Sequence, residues 1–252
     1  MLQCYKKLNQ KFQHASLLRR LLIAASLLGL GGLLGGVLYG WNKPSLERPY
    51  AYQGYKEAYR KTLTLRDGST ITLVPATLDQ KDFDSLSAIY KDPSCAAKMT
   101  NGTPWPDKAI KNNQTFYAYS WELFYDLEKS NLPHQEPLTL SFLIFDEKGQ
   151  LVGDIGLQAE HGARNDELFF NILPAFRRRG VAYTGSQYLI EFYHQHFGNK
   201  PLGANILPHN KPSQGLVKKL GFKPLFNADG SRRTVIMHGR VFELWERSPE
   251  NK

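Results

Sequence analysis

Between Glu167 and Tyr193 an apolar run, ELFFNILPAF, meets three consecutive arginines and a glycine, RRRG, and passes straight into a helical pattern, VAYTGSQYLIEFY. No other stretch narrows the choice of folds so much. Pro174 ends the strand-like run. Ala182, Leu189, Ile190, Tyr193 and Phe197 then draw the apolar side of a helix over Val181 to Phe197. A helix start carries unpaired N–H groups and a partial positive charge, which makes it an anion site. Gly180 lets a ligand approach the backbone closely, Ala182 keeps the next turn small, and the arginines add charge. Taken alone, the segment also reads as a basic surface turn with a structural glycine.

Charge argues against the obvious partner of a basic protein. The chain of 252 residues has a formal net charge of +9. Residues 1–61 carry +8 of that, and residues 62–252 are almost neutral at +1. The excess flanks an uncharged stretch from Leu21 to Asn42, so an anionic membrane surface fits better than nucleic acid. The apolar part, Leu21 to Tyr39, would span about 28 Å as a helix, close to the roughly 30 Å of a bilayer core. Arg19 and Arg20 stand at one end, and Tyr39 and Trp41 at the other, where interfacial aromatics belong. Gly32, Gly36 and Gly40 recur every fourth residue, a spacing suited to self-association or to lipid-tolerant filler. The expected organisation is a basic segment over 1–20, a single transmembrane anchor over 21–41 and a basic, aromatic membrane-surface linker over 42–61. One folded domain over 62–248 and a short tail over 249–252 complete it. A retained anchor is preferred to a cleaved signal peptide, because VLYGWN lacks a small-x-small cleavage pattern. Five basic residues on each side of the span leave its orientation undecided.

Two cysteines, Cys4 and Cys95, cannot build a disulfide framework, and Cys95 reads as a small buried residue. His194 and His196 lie two apart on a helix and do not share a face, so no metal site is expected.

Patterning over the domain predicts a strand at STITLVPA, a helix through Leu86 and Tyr90, a loop DPSCAAKMTNGTPWPD, and a helix over AIKNNQTFYAYSWELFYDLEK. Three strands follow, LTLSFLIFD, QLVGDIGLQAE and ELFFNILPAF. After the helix from Val181 come a short strand LGANIL, a short helix over Pro212 to Leu220, and closing β structure from Arg233 to Leu244. Antiparallel strands followed by a strand–helix–strand–helix half indicate a mixed α+β domain.

This order, with RRRGVA at the strand-to-helix turn, resembles the GNAT superfamily of acyl-CoA N-acyltransferases, and within it the RimJ/RimL-like branch. RRRGVA fits [RQ]-x-x-G-x-[GA] through Arg177, Gly180 and Ala182. ELFFNILPAF stands where that branch has a glutamate-bearing aromatic strand. NKPSQGLVKKLGF fits N-x-x-S and then Lys-x-Gly-Phe, through Asn210, Ser213, Lys219, Gly221 and Phe222.

The resemblance implies a mostly antiparallel central sheet flanked by helices, with acetyl-CoA as co-substrate and an amine of a protein or small molecule as acceptor. It implies that the amides of Arg178, Arg179, Gly180, Val181 and Ala182 cradle the pyrophosphate, with charge from Arg177 and Arg179. The pantetheine arm would pair with the backbone of Asn171, Ile172 and Leu173, and Asn210 would hydrogen-bond it. Glu167 is the candidate base, with a solvated charge at a turn as its competing reading. Glu160 and His161 are alternatives on the neighbouring hairpin. Val217 replaces the usual tyrosine acid, so the branch's serine role falls to Ser213. Phe169, Gly185 and Gly215 depart from the pattern, and Phe169 together with the missing tyrosine leaves open a membrane-tethered CoA-binding or scaffold domain without catalysis. A cytosolic catalytic domain follows from the cytosolic cofactor. The loop around Trp105 is expected either to line the acceptor side or to plug the core.

Overall fold

The run Leu140–Asp146 turns back on itself at Asp146, whose carboxylate accepts the N–H groups of Lys148 and Gln150 while Gly149 takes a positive φ of 75°. The resulting hairpin is the centre of the domain. The computed structural model describes residues 51–99, 101–130, 138–158 and 166–249. Its strands are β1 Lys61–Thr64, β2 Thr70–Pro75, β3 Leu140–Asp146, β4 Leu151–Gln158, β5 Glu167–Ile172, β6 Leu202–Ile206, β7 Lys223–Pro224, β8 Thr234–Met237 and β9 Arg240–Arg247. They form one mixed sheet in the order β1-β2-β3-β4-β5-β6-β9-β7, with β8 also on β9. Only β5 and β6 run parallel; the remaining pairs are antiparallel.

The helices are α1 Ala51–Ala58, α2 Gln80–Tyr90, α3 Pro93–Ala96, α4 Asp107–Lys129, α5 Val181–Phe197 and α6 Lys211–Lys219. Strand alternation sends Asp154 to one face of β4 and Ile155 to the other. Tyr90 of α2 meets Asp154, while α5 packs on Ile155 closely enough that a Cβ at Gly185 would lie 3.2 Å from Ile155 Cδ1. That contact accounts for a glycine inside α5; nothing comparable surrounds Gly215. The main core joins β1–β6 to α5 and to Trp121 and Phe124 of α4. A smaller one gathers Leu86, Ile89 and Tyr90 of α2 with Ile110 and Tyr117 of α4.

The mixed α+β architecture and the order from β2 onward agree with expectation, strand β1 is an addition to it, and two boundaries move. The supposed linker over 42–61 is folded from Ala51 onward, and the compact unit begins at Tyr50. Tyr55 and Tyr59 lie one helical turn apart. Tyr55 is fully buried, and Tyr59 stacks on Trp121 at 5.3 Å between ring centres. Apolar burial of such rings fixes α1 to the domain. The expected loop 92–107 also contains α3, started by Asp92, whose carboxylate accepts the Cys95 N–H at 2.9 Å. The basic segment, the anchor over 21–41, the Gly32/Gly36/Gly40 face and Cys4 lie outside the described residues. Among the described residues no helix is long and apolar enough to cross a membrane.

Candidate active site

Strand β5 is paired along its whole length with β4, from Glu167↔Gln158 to Gly153↔Ile172. On its other side it meets β6 at a single register pair, Glu167↔Gly203, whereas β6 pairs with β9 on its far edge from Leu202 to Ile206. The two parallel strands therefore separate just past Glu167. The edge of β5 facing the gap has no ladder partner there among the described residues. Backbone N–H and C=O groups at such an edge call for an extended partner. Asn171 and Leu173 are half-buried along this edge, with Ile172 buried between them.

At its far end β5 turns through a 3-10 segment, Pro174–Phe176, into the start of α5. Arg178 has φ 65° and Gly180 φ 86°, two left-handed residues in the four-residue loop 177–180. Alternating backbone of this kind turns successive N–H groups toward one point and forms an anion cradle. No side chain caps the α5 N-terminus, and a Cβ placed on Gly180 would meet nothing within 4 Å. Arg178, Arg179 and Gly180 are exposed, Val181 is buried and Ala182 half-buried. Open space and uncapped helix-start amides therefore meet at Gly180.

Arg177 has a different job from its neighbours. Its guanidinium turns inward, donating from Nε to the Ile172 carbonyl at 2.8 Å and from Nη2 to Ser94 Oγ at 2.8 Å. Nη2 also lies 3.3 Å from Cys95 Sγ. It braces the loop, and the charge offered outward comes from Arg178 and Arg179. Cys95 is buried as expected, and burial pushes its thiol up to about 11, so it is a neutral packing group at ordinary pH.

Glu167 sits at the closed end of the gap, half-buried, and its Oε1 accepts a hydrogen bond from Asn205 Nδ2 on β6. Asn210 is buried and caps α6, its Oδ1 accepting the Ser213 N–H at 3.4 Å. Ser213 is half-buried in the first turn of that helix. Glu160 and His161 lie outside the described residues.

On the α2 face of the same strands is a polar cluster within an apolar shell. Asp154 is fully buried, accepting from Tyr90 Oη at 2.8 Å and from Asn171 Nδ2 at 2.9 Å. The Tyr117 hydroxyl lies 3.0 Å from that of Tyr90. Burial raises the Asp154 carboxyl to about 6, against the lowering effect of its two donors. Tyr90 and Tyr117 are pushed above the usual phenol range by the same desolvation and by the nearby carboxylate. Asp154 thus holds the Asn171 side chain on this face, while the two residues also stand opposite each other in the β4–β5 ladder. Trp105 covers the cluster, its ring 5.1 Å from that of Tyr90 and its Nε1 donating to Asn101 at 2.7 Å. Of the two readings for Trp105, the plug describes these contacts.

Sequence reasoning did not single out Asp154 or Asn205. An aspartate inside the apolar strand QLVGDIGL was the available signal for the first. Nothing local marks Asn205, whose partner is 38 residues away. Among the described residues no group of three or more His, Cys, Asp or Glu side chains is placed to hold a metal ion.

The acetyltransferase (GNAT) domain family matches residues 70–223, and the chain belongs to that family. Solved structures share the fold at low identity. The ribosomal-protein-S5-alanine acetyltransferase of Vibrio fischeri aligns with a TM-score of 0.52 and 11% identity, over 76% of this chain and 98% of its own. RimL, a ribosomal L7/L12 α-N-protein acetyltransferase in complex with coenzyme A, aligns at 0.54 and 12%, over 75% and 98%. RimJ of Mycobacterium smegmatis, in complex with CoA-disulfide, aligns at 0.52 and 18%, over 74% and 85%. No curated protein matches the chain in sequence.

Proposed function

We propose that the protein is an N-acetyltransferase that moves an acetyl group from acetyl-CoA to an amine, by direct attack in a ternary complex. The observation that carries this reading is the single register pair Glu167↔Gly203, beyond which β5 presents an open edge leading to the uncapped start of α5.

When bound, acetyl-CoA supplies an acetyl group activated as a thioester, and coenzyme A leaves as its thiolate. The chain's own groups do the rest. Amides from Arg178 to Ala182 hold the diphosphate, with Arg178 and Arg179 adding screened surface charge. The backbone of Asn171 to Leu173 holds the pantetheine arm, and Asn210 adds a donor through Nδ2, since its Oδ1 caps α6. A backbone N–H of β5 polarises the acetyl carbonyl. Glu167 accepts the proton of the attacking amine, directly or through water, and Ser213 hydrogen-bonds the departing sulfur. An α-amino acceptor, with a reference pKa of about 7.7–8.0, asks less of that base than a lysine at about 10.4.

Phe169 supports a second reading, a CoA-binding domain without turnover. Its ring stacks on Tyr117 at 6.4 Å between centres and occupies the face on which Glu167 stands. Calorimetry of the full chain with acetyl-CoA and with CoA tests both readings, since absence of binding overturns them together. Thiol release with a panel of amines then separates them, turnover lost in Glu167→Gln supporting the enzyme. The anchor over residues 21–41, with the domain on the cytosolic side, belongs to the same proposal. Protease accessibility of the domain in sealed vesicles checks it.

A further inference from the structure

The residue opposite Glu167 across the parallel pair is Gly203, which has no side chain. The carboxylate can therefore lean along β6 to the next residue on that face, Asn205, two positions on. There the amide Nδ2 donates to Glu167 Oε1. Met237, the last residue of β8, lies beside the amide, its Sδ 4.0 Å from Asn205 Nδ2. Both polar partners are half-buried, as is Met237. The hairpin that carries Met237 is tied to the segment after α3 by Arg240, which donates to the carbonyls of Ala97 and Met99.

We propose that Asn205 is a positioning residue for Glu167, fixing the orientation of its carboxylate through Oε1, with Met237 packed beside the amide. The proposal rests on the reading of Glu167 as the base. An amide is suited to this task. It donates to a carboxylate without bringing a charge of its own, and it favours the ionised form that a base requires. A lysine in its place would form an ion pair competing with the substrate ammonium, and an aspartate would repel the base. The neighbouring thioether is an apolar contact that offers no donor competing with the amide. Asn205 touches no reacting atom and acts through Glu167.

The test reads Glu167 directly and needs no acceptor. The full chain, labelled with carbon-13 at the glutamate carboxyl, is titrated by NMR, and the Glu167 signal is identified by its loss in Glu167→Gln. Asn205→Ala should raise the Glu167 titration midpoint by about one pH unit, and Asn205→Asp by more, because a like charge adds to the lost donor. Amide signals remote from β5 and β6 should stay in place. If Asn205→Ala does not fold, Asn205→Ser is read in its stead. An unmoved midpoint in a folded variant overturns the proposal. Where a panel amine is turned over, Asn205→Ala should lower kcat about tenfold and leave the KM for acetyl-CoA unchanged. A KM effect with kcat intact assigns Asn205 to binding and also overturns it. Full activity in Glu167→Gln removes the base assignment, a failure visible whatever the titration shows.

Discussion

The guanidinium of Arg177 reaches back five residues to donate from Nε to the carbonyl oxygen of Ile172, at 2.8 Å. That bond joins the end of the strand proposed to hold pantetheine to the loop proposed to hold the diphosphate. The three arginines are thus divided between structure and ligand, and substitution should separate the two roles. Arg177→Ala leaves the Ile172 carbonyl and Ser94 without their shared donor and should cost about 2–3 kcal/mol of stability. Replacing exposed Arg178 and Arg179 by glutamine should change stability by no more than about 0.5 kcal/mol. It should weaken acetyl-CoA binding and flatten its salt dependence. Urea midpoints and calorimetry at two salt concentrations distinguish these outcomes.

Phe169 departs from the family pattern, and Gly156 opposite it shows how the departure is accommodated. A Cβ on Gly156 would lie 2.6 Å from Phe169 Cζ and 2.2 Å from the Leu140 carbonyl oxygen, so this strand tolerates no side chain there. Phe169→Ala removes a half-buried ring stacked on Tyr117 and should cost about 2 kcal/mol. In exchange it opens the sheet face beside Glu167. Bulkier amines should then become acceptors, measured as a gain in kcat/KM for branched over unbranched amines. Gly156→Ala should fail to fold even when combined with Phe169→Ala, because the Leu140 carbonyl is backbone and cannot move aside.

The legible parts of this protein were those in which neighbours in sequence decide the structure. Gly180 and Gly198 bound α5 where the apolar pattern begins and ends, and Asn210 caps α6 three residues before Ser213. What escaped depended on partners far along the chain. Tyr55 and Tyr59 looked like interfacial aromatics beside an apolar segment, yet their spacing is that of one helix face, and the surface they cover belongs to Trp121. The inward turn of Arg177 is set by Ser94, 83 residues away. Asp154 depends on Tyr90, 64 residues away, and no local pattern says that an aspartate in a strand will find a tyrosine.

Asp154 gives the domain a pH dependence of unusual sign. Burial lifts its carboxyl to about 6 in the folded protein, above the ordinary range near 4 for an unfolded chain. Between those values the folded state holds a proton that the unfolded state has released. The contribution is therefore complete below pH 4 and is lost as pH rises through 6, about 3 kcal/mol at most by linkage. Other carboxylates titrate in the same range, so the comparison is with Asp154→Asn, which cannot ionise. The stability of the wild type relative to that variant should fall between pH 4 and pH 7, read from urea unfolding at each pH. A constant difference would mean that Asp154 titrates alike in both states.

Arg240 joins two elements that approach the site from opposite ends of the chain. Its Nη2 donates to the Ala97 carbonyl at 2.9 Å and its Nη1 to that of Met99, so the β8–β9 hairpin is strapped to the loop leading to Trp105. Neither carbonyl belongs to a strand ladder, and the strap is partly open to water, so its strength is that of a moderate charged hydrogen bond. Arg240→Ala should release the loop by about 1–2 kcal/mol, seen as roughly tenfold faster amide exchange over residues 97–105 with slower exchange in β3 and β4 unaffected. Arg240→Lys, with a single point donor, should recover part of the protection because it can satisfy one carbonyl and not both. Unchanged exchange in Arg240→Ala would show that the Trp105 ring on Tyr90, with its bond to Asn101, holds the loop by itself.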